Sequence, residues 1–132
     1  MTDRLNFIDC SEIASDKKNH LIFKKISKDK EIKKILFVAP PDIHAENFNL
    51  SNAKNYNYYN FAPYGIGLLA STLTQDGYDV DILNLNHIIL KKAYHFDGSE
   101  FPFNKIIEDE IKKKVTEFEP DMIGLTCMFS QT

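Results

Sequence analysis

Two cysteines, Cys10 and Cys127, are all that the 132 residues contain. They can build neither a disulfide framework nor a C-x-x-C or Cys/His zinc site, and a reducing compartment, the cytoplasm, is the expectation. Positive charge is short as well: 16 Lys and Arg stand against 19 Asp and Glu, a net charge of −3, which removes the basic footprint of a nucleic-acid binder. No apolar run approaches the ~20 residues that span a bilayer. The N-terminus, Met1-Thr2-Asp3-Arg4-Leu5-Asn6-Phe7, lacks the apolar segment of a signal peptide. Neither a membrane nor nucleic acid is an expected partner. Glycine and proline number five each, too few for a collagen-like or low-complexity chain. The remaining class is an ordinary globular protein, with a prior of one domain.

Charge is distributed unevenly. The chain up to Lys34 is rich in Lys and Arg, and beyond it acidic residues prevail. Residues 1–33 therefore read as an N-terminal extension with a solvated basic flank; Leu21-Ile22-Phe23 is too short to assign by period. From residue 34 the pattern sharpens. Ile35-Leu36-Phe37-Val38-Ala39, stopped by Pro40-Pro41, predicts a strand buried on both faces, as in a parallel sheet. Residues 42–62 are rich in Asn and Tyr without an apolar period, and predict a long loop. Pro63 opens a predicted helix whose Ile66, Leu69, Ala70 and Leu73 share a face, with Gly77 beyond its end. A second strand is predicted over 78–85, and residues 87–102 are ambiguous. Asn104 is the expected cap of a second helix carrying Ile107, Ile111, Val115 and Phe118 on one face, with the pairs Glu108–Lys112 and Asp109–Lys113 outside. Pro120-Asp121 ends it, and Met122 to Phe129 predicts a third strand.

The order β-α-β-α-β implies an α/β fold: a Rossmann-like or flavodoxin-like parallel sheet, incomplete, with strand order 2-1-3. Ligands of such sheets sit beyond the carboxyl ends of the strands. The loops after Pro41 and Asn84, and Ser130-Gln131-Thr132, form that edge.

No catalytic constellation stands out. The P-loop spacing is absent, and Gly65-Ile66-Gly67 is followed by Ala70 rather than glycine, so no dinucleotide fingerprint forms. The two glycines suit a close approach of the helix to the sheet or to a ligand. Asp42-Ile43-His44 follows the first strand, where an imidazole can ligate a metal and an aspartate can hold its second nitrogen; a solvated loop fits the same residues. Cys127, on a strand expected to be buried, reads as a small core residue. Thr126 and Ser130, near the strand's carboxyl end, are placed to meet a ligand. Tyr56, Tyr58, Tyr59, Phe61 and Tyr64 suit the flat walls of a site for a large planar cofactor, or a loop packing on its own domain.

Three segments together, the strand ending in Pro40-Pro41, Ala62 to Asn84 with Pro63-Tyr64-Gly65-Ile66 and Gly77-Tyr78-Asp79-Val80, and Pro120-Asp121-Met122-Ile123-Gly124-Leu125-Thr126, resemble the N-terminal cobalamin (B12)-binding domain of cobalamin-dependent radical S-adenosylmethionine (SAM) enzymes. The resemblance covers residues 34–132. It implies a corrin across the carboxyl edge of the sheet, with Pro41, Pro63, Tyr64, Gly65, Thr126, Met128 and Ser130 near it, the hydroxyls toward the nucleotide tail. The wider cobalamin-binding family ligates cobalt through the histidine of D-x-H-x-x-G. Here Asp42 and His44 match but Asn47 replaces the glycine, and the radical branch usually lacks that histidine; both departures weigh against His44 as a cobalt ligand. The family also implies a parent enzyme, a methyltransferase or a related radical enzyme, whose C-terminal radical SAM domain holds a 4Fe-4S cluster through C-x-x-x-C-x-x-C and binds SAM. That motif is not in this sequence, so residues 34–132 read as a partial cobalamin-binding module, truncated before the radical domain.

Two other classes share parts of the pattern. The N-terminal half of a nucleotide-sugar glycosyltransferase can open on a similar strand, helix and Gly-Tyr-x-Val, but usually ends its third strand with a charged residue or histidine, where Leu125 to Phe129 stays uncharged. A non-enzymatic flavodoxin-like or receiver-type regulatory module is the third class; a receiver needs acidic residues at the end of the first strand to bind magnesium, and Ala39-Pro40-Pro41 supplies none. Three strand units are fewer than the roughly five of a doubly wound domain. The piece is therefore expected either to be marginally stable or to cover an exposed edge of the third strand by self-association.

Overall fold

The computed structural model describes residues 31–126, of which those from Lys33 onward belong to one compact unit. The sequence-based readings for residues 1–30, and for Cys127, Met128 and Ser130, fall outside the described residues.

The uncharged run after Lys34 forms strand β1 (Lys34–Ala39), which Pro40 and Pro41 end because proline cannot donate to a ladder. It is the central strand. β2 (Asp79–Asn84) and β3 (Met122–Leu125) flank it in the order β2-β1-β3, all parallel, with Phe37 opposite Ile82 on one side and Gly124 on the other. This is the expected Rossmann-like or flavodoxin-like α/β fold in the expected strand order.

Helix α2 (Tyr64–Gln75) joins β1 to β2 and packs on β2. Gly77, at φ +92°, closes it: the Tyr78 N–H donates to the Leu73 carbonyl and the Gly77 N–H to that of Thr74, the paired bonds of a Schellman cap. Ile66 is its buried residue, while Leu69 is 56% exposed, so the predicted four-residue stripe loses Leu69 to solvent.

The second crossover holds two helices. α3 (Leu85–Tyr94) starts directly after β2, capped by the Asn84 side chain, and resolves the ambiguous stretch that begins at His87. α4 (Phe103–Phe118) begins one residue before Asn104, which does not cap it; Pro102 precedes it and the buried ring of Phe103 anchors its first turn. Its Ile107, Ile111, Val115 and Phe118 cover Leu36, Val38, Leu83 and Leu85, as the period predicts. Of the expected surface pairs Glu108–Lys112 forms, whereas Asp109–Lys113 does not. Lys114 instead pairs with Asp81, and Lys92 with Glu110 at 2.9 Å. Burial pushes the Asp81 carboxyl up, but hydrogen bonds from Lys114 and the Ile82 N–H, with the lysine charge, leave it below the usual range. The stabilisation is thus present at neutral pH and disappears as acid titrates the lowered folded-state value.

The predicted loop 42–62 is more ordered than its composition suggests. It contains a 3-10 turn, Ala45–Asn47, and a one-turn helix α1 (Leu50–Lys54). The Asn49 side chain accepts from the Asn52 N–H, and the Asn49 N–H donates to the Tyr58 hydroxyl at 2.8 Å. Elements this short carry no readable period. Aromatic packing fixes them: Phe48 sits 5.7 Å from Tyr58, 5.2 Å from Phe101 and 5.0 Å from Phe103 between ring centres.

Asp121 holds the amino end of the sheet. Its Oδ2 accepts from the N–H groups of Lys33 at 2.9 Å and Lys34 at 3.0 Å, while its own N–H donates to the Lys34 carbonyl. The Pro-Asp of the third motif is therefore structural, at the end of the sheet away from the ligand edge.

Candidate functional site at the carboxyl edge of the sheet

Parallel strands end together, so the last residues of β1, β2 and β3 and the segments after them share one edge. Because α3 follows β2 without a loop, its first turn lies there. Asn84 accepts from the His87 N–H at 3.1 Å and so fixes that turn. Asn86, 8% exposed, is the buried polar side chain among the described residues. Its Oδ1 accepts from the Asp42 N–H and its Nδ2 donates to the Tyr59 carbonyl, each at 3.1 Å. Next to it, His87 Nδ1 lies 3.0 Å from Asn60 Nδ2. One helical turn thereby ties down both the segment after β1 and the aromatic segment before α2.

That aromatic segment faces outward. Tyr59 and Phe61 stack with ring centres 5.4 Å apart and planes 14° from parallel, yet are 75% and 72% exposed. Tyr64 and Leu68, one turn apart on α2, are 81% and 72% exposed. Isolated exposed apolar side chains need no explanation, whereas several close together in sequence, beside the carboxyl edge of a parallel sheet, make this segment the candidate surface. The tyrosine cluster thus divides: Tyr58 packs inward on Phe48, while Tyr59 and Phe61 stay open, as does Tyr56, which is 74% exposed although it pairs with Tyr94 at 4.9 Å. A methyl built on Gly65 or Gly67 meets nothing within 4 Å. Neither glycine is needed for helix–sheet contact, and both lie on the open side of α2.

Of the residues expected at the site, those among the described residues are found as follows. Pro41 and Pro63 are half-buried, Tyr64 and Gly65 exposed, and Thr126, half-buried, extends the ladder by donating its N–H to the Val38 carbonyl at 3.2 Å. His44 is exposed at the start of the 3-10 turn, where its carbonyl accepts from the Asn47 N–H. No hydrogen bond links it to Asp42, and no group of three His, Cys, Asp or Glu able to hold a metal occurs among the described residues. Asn60, Asn86 and His87 escaped the reading of the sequence. The available signal was a polar residue within an apolar helical stripe: Asn86 shares buried positions with Leu85, Ile89 and Ala93.

An open groove beside β2 is lined by Ile82, Asn84, His87, Lys113 and Glu117 among others. It mixes both charges and meets the candidate site only at Asn84 and His87. Among the described residues no helix is long and apolar enough to cross a membrane.

No family model matches the chain, and no solved structure does. The chain is similar to a cytidylyl-2-hydroxyethylphosphonate methyltransferase of Streptomyces wedmorensis, with 35% identity over 69 residues, 52% of this chain and 13% of that protein. The matched part is thus a small fraction of the relative's length.

Proposed function

We propose that residues 34–132 form a cobalamin-binding module serving a methyltransferase. The observation that carries this reading is the stacked, solvent-facing Tyr59–Phe61 pair with Tyr64 and Leu68 at the carboxyl edge of a parallel sheet. A corrin is large, flat and mostly apolar on its faces, and such a surface suits it. The similarity to a methyltransferase agrees in reaction class with the family that the three sequence motifs resemble.

In this reading Tyr59, Phe61 and Tyr64 supply the wall. Gly65 and Gly67, without side chains on the open side of α2, let the ligand approach the helix backbone. Pro40 and Pro41 present a stiff rim without N–H groups, and Thr126, Met128 and Ser130 are assigned to the cofactor's tail. His44 is left out as a cobalt ligand, because Asp42 does not orient its ring and a ligating imidazole is normally held through its second nitrogen. Bound cobalamin supplies methyl-transfer chemistry; the chain's own residues bind it, orient it and exclude water from one face. SAM and the 4Fe-4S cluster belong, in this proposal, to a partner radical domain.

Equilibrium with hydroxocobalamin followed by desalting tests the reading. The expected result is stoichiometric retention of the corrin absorption bands. Loss of the corrin on desalting, with retention of a nucleoside diphosphate sugar instead, contradicts it and favours the glycosyltransferase class.

A further inference from the structure

We infer that Asn86 is a positioning residue which, with His87, clasps the aromatic segment and sets the pose of the Tyr59–Phe61 wall. The inference rests on the cobalamin reading for its ligand, but not for the clasp itself. An amide in an apolar helical stripe is unfavourable unless both its ends are paired, since an unmet buried donor or acceptor carries the full desolvation cost. Leu85, Ile89 and Ala93 complete that stripe, so a leucine would be the unremarkable residue at position 86. Asn86 instead uses both ends on backbone from two different segments: the Asp42 N–H after β1 and the Tyr59 carbonyl. His87 adds a hold on the next residue, Asn60. Successive residues of α3 thus grip successive residues of the aromatic segment, at the point where Tyr59 and Phe61 turn their rings outward.

Only an amide serves here. A carboxylate still accepts from the Asp42 N–H, but it sets an oxygen against the Tyr59 carbonyl and repels it. N86D should therefore release residues 57–63 while leaving the segment after β1 in place.

The test uses the full chain. Amide hydrogen exchange is measured for residues 57–63 and for β1, with hydroxocobalamin affinity in parallel. In N86D, exchange over 57–63 is expected to quicken and affinity to fall, each by about tenfold, the scale of one buried hydrogen bond lost; exchange in β1 stays unchanged. Protonating the introduced carboxyl restores a donor, so at low pH the exchange of N86D relative to the wild type at the same pH should return toward unity. A merely destabilising substitution gives no such return. If N86D fails to fold, Asn60→Ala, an exposed change outside the helix, is expected to loosen the same segment by a smaller factor. Unchanged exchange over 57–63 in a folded variant overturns the clasp, and a loosened segment with unchanged affinity overturns its role in binding. A wild-type chain that binds no hydroxocobalamin refutes the cobalamin reading, and the exchange data still decide the clasp.

Discussion

Leu36→Ala is expected to lower stability by about 2–5 kcal/mol, the range for emptying a fully buried leucine site. Leu36 lies at the centre of the central strand, has no exposed surface, and packs with Val38, Leu83 and Leu85 beneath α4. Its backbone is held on both sides, with Asp81 and Ile123 as register partners, so the strand cannot shift to refill the space. Small domains have total stabilities of roughly 5–15 kcal/mol, so this single change removes a large share. Urea unfolding followed by circular dichroism measures it, with the midpoint falling at constant slope. A loss below about 1 kcal/mol, the usual scale of an unremarkable substitution, would show that α4 collapses onto the sheet and that the core is less fixed than described.

Gly124→Val is expected to destabilise by about 1–3 kcal/mol through overpacking, although valine is the better strand former and local propensity alone points the other way. The ring of Phe37, the register partner of Gly124, comes within 2.7 Å of where a β-carbon would stand. The ring must move or β3 must shift away from β1. A shift of β3 would carry Thr126 from its bond with Val38 and open the carboxyl edge. Phe37→Leu in the same chain should return part of the loss, and a double-mutant cycle should give a coupling of about 0.5 kcal/mol or more, as touching residues do. Unchanged or raised stability of the single variant would mean that the ring moves at no cost.

The fold was legible where a long element carries a clean pattern. Leu36 and Val38 lie in an uncharged run, stopped by Pro40-Pro41, that suits a doubly covered strand, and Ile107, Ile111, Val115 and Phe118 keep their period over a 16-residue helix. It was illegible where the stabilising partner is distant or the element short. Asp121 reads as a helix-ending residue until its bonds to Lys33 and Lys34, across 88 and 87 residues of sequence, are seen. α1 depends on the Asn49 cap and on Phe48 meeting rings from residues 101 and 103. The start of α4 at Phe103 follows burial of that ring, which overrode the capping preference of Asn104. At the candidate site the tyrosine cluster was visible as composition. Which rings turn inward was not, because Tyr58 and Tyr59 differ only in what the fold sets beside them. Asn86 was hidden for a similar reason: an asparagine just after a strand reads as loop until the helix that starts at Leu85 is seen to include it.

The central claim is that a corrin lies on the carboxyl edge of this sheet, against Tyr59, Phe61 and Tyr64. Hydrogen exchange of the full chain with and without hydroxocobalamin tests it most directly. The account predicts slowed exchange over residues 42–44, 57–62, 64–68 and 84–87 and at Thr126, with the amino end of the sheet around Lys34 and Asp121 unaffected. Protection confined to the groove beside β2, at Ile82 and along Lys113 to Glu117, or no protection at all, would contradict it.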